Sequence, residues 1–499
     1  MTVEQTVERN VIPDTQQAPT GRPAAENELT TRFLQHPAAA ARLTRNALAS
    51  PLLTAAYRQR LLGRPVFLDA GQRASLESDL GAMHELLVSL PARLFAGSLA
   101  AMGRAVGMSP VQIEGVLRNA VECPVRLARA DIYQEEDGFR LLEFNTGTAL
   151  GGSENAELNR ALLQDPDFSE FVESEGLEFT DTLRGIVNTM ISACPGLDLA
   201  GRPTVALTDW PASFTDMERR LSFFARLLEP MGFDAIACHI GQIEERAGAL
   251  FVHGRRIDIV YRFFLIEDLD GADGMPACVQ RVLAAAERGT VRLFAPLESD
   301  LYGSKGALAL LSDERHRSAF TVDELSLIDR FLPWTRELRP GRVHAGGYQV
   351  DLIDHVCARR EELILKPTIM YGGTGVIPGW KTDQAEWERQ VRGALGGPYV
   401  VQRRVRPVAE RFGQPATGSA ELCYLNWGVF LVSSGYGGAI VRGSAEPDVG
   451  VVSMSNGALT GCCFHPRRPA RQAPRAKRSA LSPADRAQSR LEARITERT

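Results

Sequence analysis

Along this chain short apolar runs alternate with stretches of helical spacing. Between residues 29 and 108 Ala, Leu and Arg dominate, and Phe33, Leu34, Leu43 and Leu48 recur at spacings that suit packed helices. Ser109-Pro110 predicts the start of a further helix, with Ser109 as N-cap and Glu114 in its first turns. Residues 124–128 and 139–144 predict two strands separated by the turn Glu135-Glu136-Asp137-Gly138, and 153–163 predicts a helix with Glu154 in its first turn. Strands at 204–208, 233–238, 257–264 and 291–294 then alternate with helices at 216–228 and 278–288. That alternation describes a small sheet covered by helices. From Gly303 the pattern changes. A helix opens near Lys305, strands at 362–366 and 399–405 bracket a helix at 384–394, and strands at 421–432 and 439–443 flank a turn at 433–438.

These shifts divide the chain into five stretches: a polar N-terminus at 1–28, expected to be disordered; 29–198; 199–300; 301–465; and a tail at 466–499. With 499 residues and 44% hydrophobic content, two or three domains with cores can form. Charge is uneven. The tail carries ten Lys/Arg against three Asp/Glu, so the remainder is −12 in a chain of formal charge −5. An acidic body excludes a nucleic-acid-binding core, which needs a basic face. The basic tail, poor in apolar residues, reads as solvated and disordered. Eight cysteines without a C-x-x-C pair or zinc spacing read as reduced, buried thiols. The N-terminus lacks the apolar core of a signal peptide, and no run reaches the roughly 18 apolar residues a membrane span requires. The expectation is a cytoplasmic protein without a membrane partner.

The candidate chemistry lies in three places. Leu363-Ile364-Leu365-Lys366-Pro367 is an apolar strand carrying one Lys. Burying that cation is costly without an anion, and a phosphate would supply one, although its stem could also snorkel to solvent. Gly372, Gly373 and Gly375 follow, a spacing that lets backbone N–H groups approach phosphate oxygens but also fits an ordinary turn. No Gly-Lys-Ser/Thr follows, so this is not a P-loop. Lys305 opens a helix, where the dipole disfavours a cation; a nucleotide phosphate or plain solvent exposure would account for it. In Glu143-Phe144-Asn145 the residues i and i+2 share one face of a strand, so Glu143 and Asn145 can present two hard oxygen ligands to magnesium. Glu421 is a possible third ligand.

Together these residues resemble the ATP-grasp superfamily, and more closely its circularly permuted branch, which includes eukaryotic-type glutathione synthetase and glutathionylspermidine synthase. In that branch the E-x-N pair precedes the phosphate loop, as Glu143 and Asn145 precede Lys366 here. Gly303-Ser304-Lys305 resembles the first ATP lysine, and Leu365-Lys366-Pro367 with Gly372, Gly373 and Gly375 the second lysine and its loop. The stretch 398–403, with Gln402 and Arg403, looks like the adenine hinge. Glu421 is similar to the third metal ligand, Arg442 to a late arginine near the transferred phosphate, and Arg262 to a substrate-side arginine. The resemblance covers roughly residues 124–456. Thr374 interrupts the glycines, and 444–458 shows no glycine-rich closing loop in the family's form.

The resemblance implies an α/β (α+β) chain with a permuted ATP-grasp fold. Residues 29–198 would hold a helical region and the metal strands, 199–300 a Rossmann-like pre-ATP-grasp substrate domain, and 301–465 the nucleotide-binding region. It implies ATP and magnesium as cofactors. The activity would be a carboxylate–amine ligase that forms an amide through an acyl phosphate and releases ADP and phosphate. Partners would be a small-molecule carboxylate and an amine, with homodimerisation left open. A small-molecule kinase on the same fold and a non-catalytic nucleotide-binding protein are the alternatives.

Overall fold

The structure, a computed structural model, describes residues 27–467 apart from 36, 59, 122–123, 148–149, 271–273, 371 and 414–419. The expectations for 1–26 and 468–499, and for Tyr371, lie outside the described residues. At the two borders the reading shifts slightly. Glu28 already belongs to a helix, Glu28–Phe33, whose first turn is capped by Asn27 accepting from the Thr30 N–H at 2.8 Å. At the other end the last strand, Leu459–Pro466, runs to Pro466, and the Arg467 N–H donates to the Gly176 carbonyl at 2.9 Å.

Among the described residues the largest sheet has eight strands. Its main path runs Val66–Phe67, Leu459–Pro466, Gly435–Ser444, Ala420–Val432, Ala128–Glu135 and Gly138–Thr146; Ala409–Gly413 and Leu177–Glu178 pair at its sides. Alternation sorts its side chains. Ala130 and Ile132 of one strand and Leu425, Trp427 and Val429 of the next pack onto Leu80, Met83, Leu87 and Leu90 of the helix Ala70–Leu94. Each such aliphatic side chain contributes about 1.5–3 kcal/mol of burial. The opposite face is polar and walls a cavity. The sheet draws on both halves of the chain, so the hairpin at 128–146 is completed only by strands beyond residue 419.

The hairpin differs from the expectation in one respect that matters for the site. Its first strand is Ala128–Glu135, not 124–128, while the turn falls at Glu136-Asp137 as read. Likewise the return strand Gly435–Ser444 begins inside the stretch read as a turn at 433–438. A β-bulge interrupts the hairpin: Asp131 pairs with Glu143 but Ile132 with Leu141, which leaves Leu142 as the extra residue. The bulge keeps Leu141 in the core while Glu143 and Asn145 face the cavity.

A second, antiparallel sheet has the order Thr335–Glu337, Tyr399–Arg403, Leu363–Pro367, Ile377–Pro378. Leu363, Leu365 and Val401 pack with Trp387 and Val391 of the helix Gln384–Ala394 and with Leu352 and Val356 of Leu352–Ala358. Trp387 is fully buried and its indole N–H donates to the Val356 carbonyl at 2.9 Å. This packing turns the even-numbered residues Ile364, Lys366 and Gln402 toward the cavity. A third sheet, order Arg292–Phe294, Ile259–Arg262, Thr204–Asp209, Asp234–His239, is wholly parallel and is flanked by the helices Pro211–Leu228 and Ala277–Glu287. Among the described residues no single helix is long and apolar enough to cross a membrane.

Candidate active site

The two antiparallel sheets face each other across a cavity of about 1000 Å³. Its floor is the polar face of the hairpin. Asp131 stands directly opposite Glu143, and Arg129 opposite Asn145, so four functional side chains share one patch of sheet. The neighbouring strand adds Asn426, and Arg442 pairs with Asn426 in register. Arg129 donates to both Asp131 oxygens at 2.9 and 3.2 Å, and Arg442 Nη2 donates to Asp131 Oδ1 at 2.8 Å and to Asn426 Oδ1 at 2.9 Å. Burial alone would raise the Asp131 carboxyl, but Arg129 and Arg442 outweigh it and hold it below the ordinary carboxylate range. The two guanidiniums can meet there because residue 428 is glycine. A Cβ at that position would stand 3.1 Å from Arg129 Cδ, 3.2 Å from Arg442 Nη2 and 2.9 Å from Ile440.

The roof is the smaller sheet. Lys366 is 5% exposed; its ammonium donates to Gln402 Oε1 at 2.8 Å and lies 3.5 Å from the carbonyl of the bulge residue Leu142. Gln402 is itself held by a 3.1 Å bond from its amide to Thr335 Oγ1. Burial pushes the Lys366 ammonium down to about 8; Glu143 opposes that shift and Lys305 adds to it. Lys305 Nζ lies 3.6 Å from Glu143 Oε1 and donates to the Met370 carbonyl at 2.6 Å. Two lysines from the roof side therefore converge on one carboxylate of the floor. Gly372 and Gly373 line the cavity with φ of 67° and 81°, backbone that favours glycine. Gly375 has φ of 70° but sits off the wall against Pro367. Arg403 lines the mouth, paired with Glu135 at 3.0 Å.

Two of the sequence assignments do not survive the geometry. Arg262 has no exposed surface; it donates to Asp300 at 2.6 Å and to the carbonyls of Ala295, Phe264 and Pro296 at 2.6, 2.8 and 3.3 Å. Its guanidinium is consumed in tying the parallel sheet to the helix Glu298–Gly303, and it does not reach the cavity. Glu421 is likewise off the cavity wall. In a regular strand residues 421 and 426 point to opposite faces, and Glu421 acts on Cys423, which packs in the core together with Leu425. The carboxylate that does stand beside Glu143 is Asp131, which the sequence reading missed along with Arg129. The R-x-D alternation was visible, but it fell beyond the strand as read.

Asp131, Glu143 and Asn145 together offer two carboxylates and an amide oxygen on one face. Among the described residues no cluster of three or more His, Cys, Asp or Glu forms a dedicated metal cage. Such an oxygen set fits magnesium, which takes few protein ligands and fills its octahedron with phosphate oxygens and water. The segment between the strands Gly435–Ser444 and Leu459–Pro466 covers the cavity: Val449, Val451 and Ser453 line it. It is fastened to the roof by ion pairs Lys381–Glu446 and Arg404–Asp448 and by the Trp380 indole on the Asp448 carbonyl at 3.2 Å. The segment lacks the glycine-rich form of the resembling family, as expected from the sequence, and is fastened by ion pairs.

Two antiparallel sheets facing each other across the cavity, with a parallel sheet alongside, make a mixed α/β fold that resembles glutathione synthetase. A solved glutathione synthetase-like effector (GSS30) from Globodera pallida in its apo form matches with a TM-score of 0.52 at 12% identity over 87% of this chain and 97% of that one. A putative γ-glutamylcysteine synthetase from Methylobacillus flagellatus matches over 77% of this chain and 86% of that one at 12% identity, with a TM-score of 0.40. No protein-family model and no curated protein matches the chain.

Proposed function

We propose that this chain is an ATP-dependent carboxylate–amine ligase on a circularly permuted ATP-grasp fold. The observation that carries the reading is one cavity lined by Lys366 on one side and by Asp131, Glu143, Asn145, Arg129 and Arg442 on the other, with Lys305 held 3.6 Å from the Glu143 carboxylate. The permutation is supported by chain order, since the acid-bearing hairpin at 128–146 precedes the lysine strand Leu363–Pro367. Lys305 and Lys366 would hold ATP phosphates, with the Gly372-Gly373 backbone beside them. Asp131, Glu143 and Asn145 would hold magnesium, which neutralises charge on the migrating phosphoryl group. Arg129 and Arg442 lie next to those acids and would stabilise charge on an acyl phosphate and on the tetrahedral species that follows. In this reading Gln402 positions Lys366 through its side chain, and Glu421 and Arg262 take no part. The covering segment would exclude water from the acyl phosphate.

The test is ADP release from ATP and magnesium over a panel of amino-acid and γ-glutamyl carboxylates, with and without amines, together with hydroxylamine trapping. A ligase gives ADP far faster when carboxylate and amine are both present, and a hydroxamate when hydroxylamine replaces the amine. A stable phosphorylated carboxylate or alcohol, with no amide by mass spectrometry, would replace this reading with a kinase.

A further inference from the structure

We infer that Glu267 takes the proton from the incoming ammonium of the acceptor substrate; the inference rests on the ligase reading above. Glu267 lies in the short turn Ile266–Leu269 that follows the strand Ile259–Arg262. That places it at the carboxyl end of the parallel sheet, where open α/β sheets receive their ligands. Leu265 and Glu267 carry this turn to the cavity wall. Other acids in that wall have cationic partners: Asp131 has Arg129 and Arg442, Glu143 has Lys305, and Glu135 has Arg403 at 3.0 Å. Glu267 Oε2 differs. It is shut off from solvent and has no hydrogen-bond partner. A buried acceptor left so is unfavourable, and a ligand donor would relieve it. An ammonium carries three donors and no acceptor, and it suits that oxygen better than a second carboxylate would.

The groups that act on Glu267 fit the same role. Asp300 of the helix Glu298–Gly303 and Asp268 of its own turn oppose its ionisation, and Lys305 favours it. Burial is the largest influence, and the carboxyl is pushed up to about 7. A proton acceptor works best near the operating pH. The step balances as follows. Glu267 carboxylate removes one proton from R–NH3⁺; the freed amine attacks the acyl carbon and the C–N bond forms. The C–O bond to phosphate then breaks with its electron pair, phosphate leaves, and the nitrogen's second proton passes to phosphate. Glu267 returns its own proton to solvent.

The test uses the full chain with ATP, magnesium and a carboxylate from the panel that gives a hydroxamate. Glycine and 1,3-diaminopropane serve as ammonium acceptors at pH 7, and hydroxylamine, already unprotonated there, serves as the acceptor that needs no base. Glu267→Gln is expected to keep hydroxamate formation within about twofold of wild type, while amide formation falls about 100-fold. Glu267→Asp, which keeps a carboxyl, is expected to form amide at least about tenfold faster than Glu267→Gln. Equal loss of hydroxamate and amide in Glu267→Gln would overturn the inference, as would an amide rate within about threefold of wild type. If the wild type gives no hydroxamate with any carboxylate of the panel, the ligase reading itself fails, and it fails without reference to Glu267.

Discussion

Lys366→Met should make the empty protein more stable and, on the proposed ligase reading, inactive. Lys366 is nearly sealed in the cavity roof, and burial lowers its ammonium from 10.5 to about 8. The unfolded chain keeps the ordinary value, so below pH 8 folding forces a protonated lysine into a place that disfavours it. The difference corresponds to about 3 kcal/mol of lost stability. Methionine fills a similar volume without the charge but leaves Gln402 Oε1 without its 2.8 Å donor, a cost of about 1 kcal/mol. The net gain is about 2 kcal/mol near pH 7, or about 2–5 °C in a chain of this size. The sign follows from proton counting. Between pH 8 and 10.5 the unfolded wild type binds more protons than the folded form, so wild-type stability rises with pH and the advantage of Lys366→Met shrinks across that window. ATP with magnesium should reverse the order. On the proposed reading phosphate would supply the missing anion for Lys366, and losing that charge-assisted contact should weaken ATP binding by about 10–100-fold. Differential scanning fluorimetry at pH 7 and pH 9.5, with and without ATP and magnesium, reads all of these together with an ADP-release assay. Destabilisation of Lys366→Met by more than about 1 kcal/mol, equal ATP-induced shifts in both proteins, or turnover above about a tenth of wild type would each refute the reasoning.

On the proposed reading Asp131→Asn should lower turnover by at least about 100-fold and raise the magnesium concentration required, because it would remove a charge proposed to hold the metal and does remove the anion between Arg129 and Arg442; Glu421→Gln, off the cavity wall, should stay within about threefold in the same titration. Arg262→Met removes the ion-pair partner of Asp300, a charge with no exposed surface, and should cost about 3–5 kcal/mol in urea unfolding, and the double change Arg262→Met with Asp300→Leu should recover most of it. Gly428→Ala should reduce turnover more than stability, since its Cβ would push Arg129 and Arg442 apart while Gly428 keeps its ladder pairing with Ile440, just ahead of the register shift between Val429 and Leu431; a ratio of activity loss to unfolding loss near one would count against this.

What could be read in the sequence was local and periodic. The lysine strand, the E-x-N pair and the alternating strands and helices of 204–294 were all visible, because a single strand's alternation or a helix's spacing is enough to show them. The helix Gln384–Ala394 was found to the residue, with Asp383 capping it. What escaped depends on partners far along the chain. Nothing near Arg262 announces that Asp300 will close over it, so a strand arginine read as substrate-facing turned out to be a buried tie. Asp131 was lost by placing its strand a few residues early, and with it Arg129. Glu421 could have been set aside from parity alone, since an odd separation from Asn426 puts the two on opposite faces. The covering segment at 445–458 was unreadable because its closure rests on Lys381 and Arg404, side chains from the connections that follow strands of a different sheet.

The large sheet is assembled from both ends of the chain, and that sets a clock on its synthesis. Asp131 and Arg442, which share a hydrogen bond in the folded protein, are 311 residues apart in sequence. At ordinary ribosomal speed the second emerges about 15–60 s after the first. For that interval the strand Ala128–Glu135 has its hairpin partner on one edge and nothing on the other, the edge that Ala420–Val432 will fill. An open strand edge is a template for wrong pairing. This one already displays Arg129 and Asp131 on one face, and charge on a waiting edge discourages other strands from docking there. The residues that serve the cavity in the finished protein would thus also guard the nascent one.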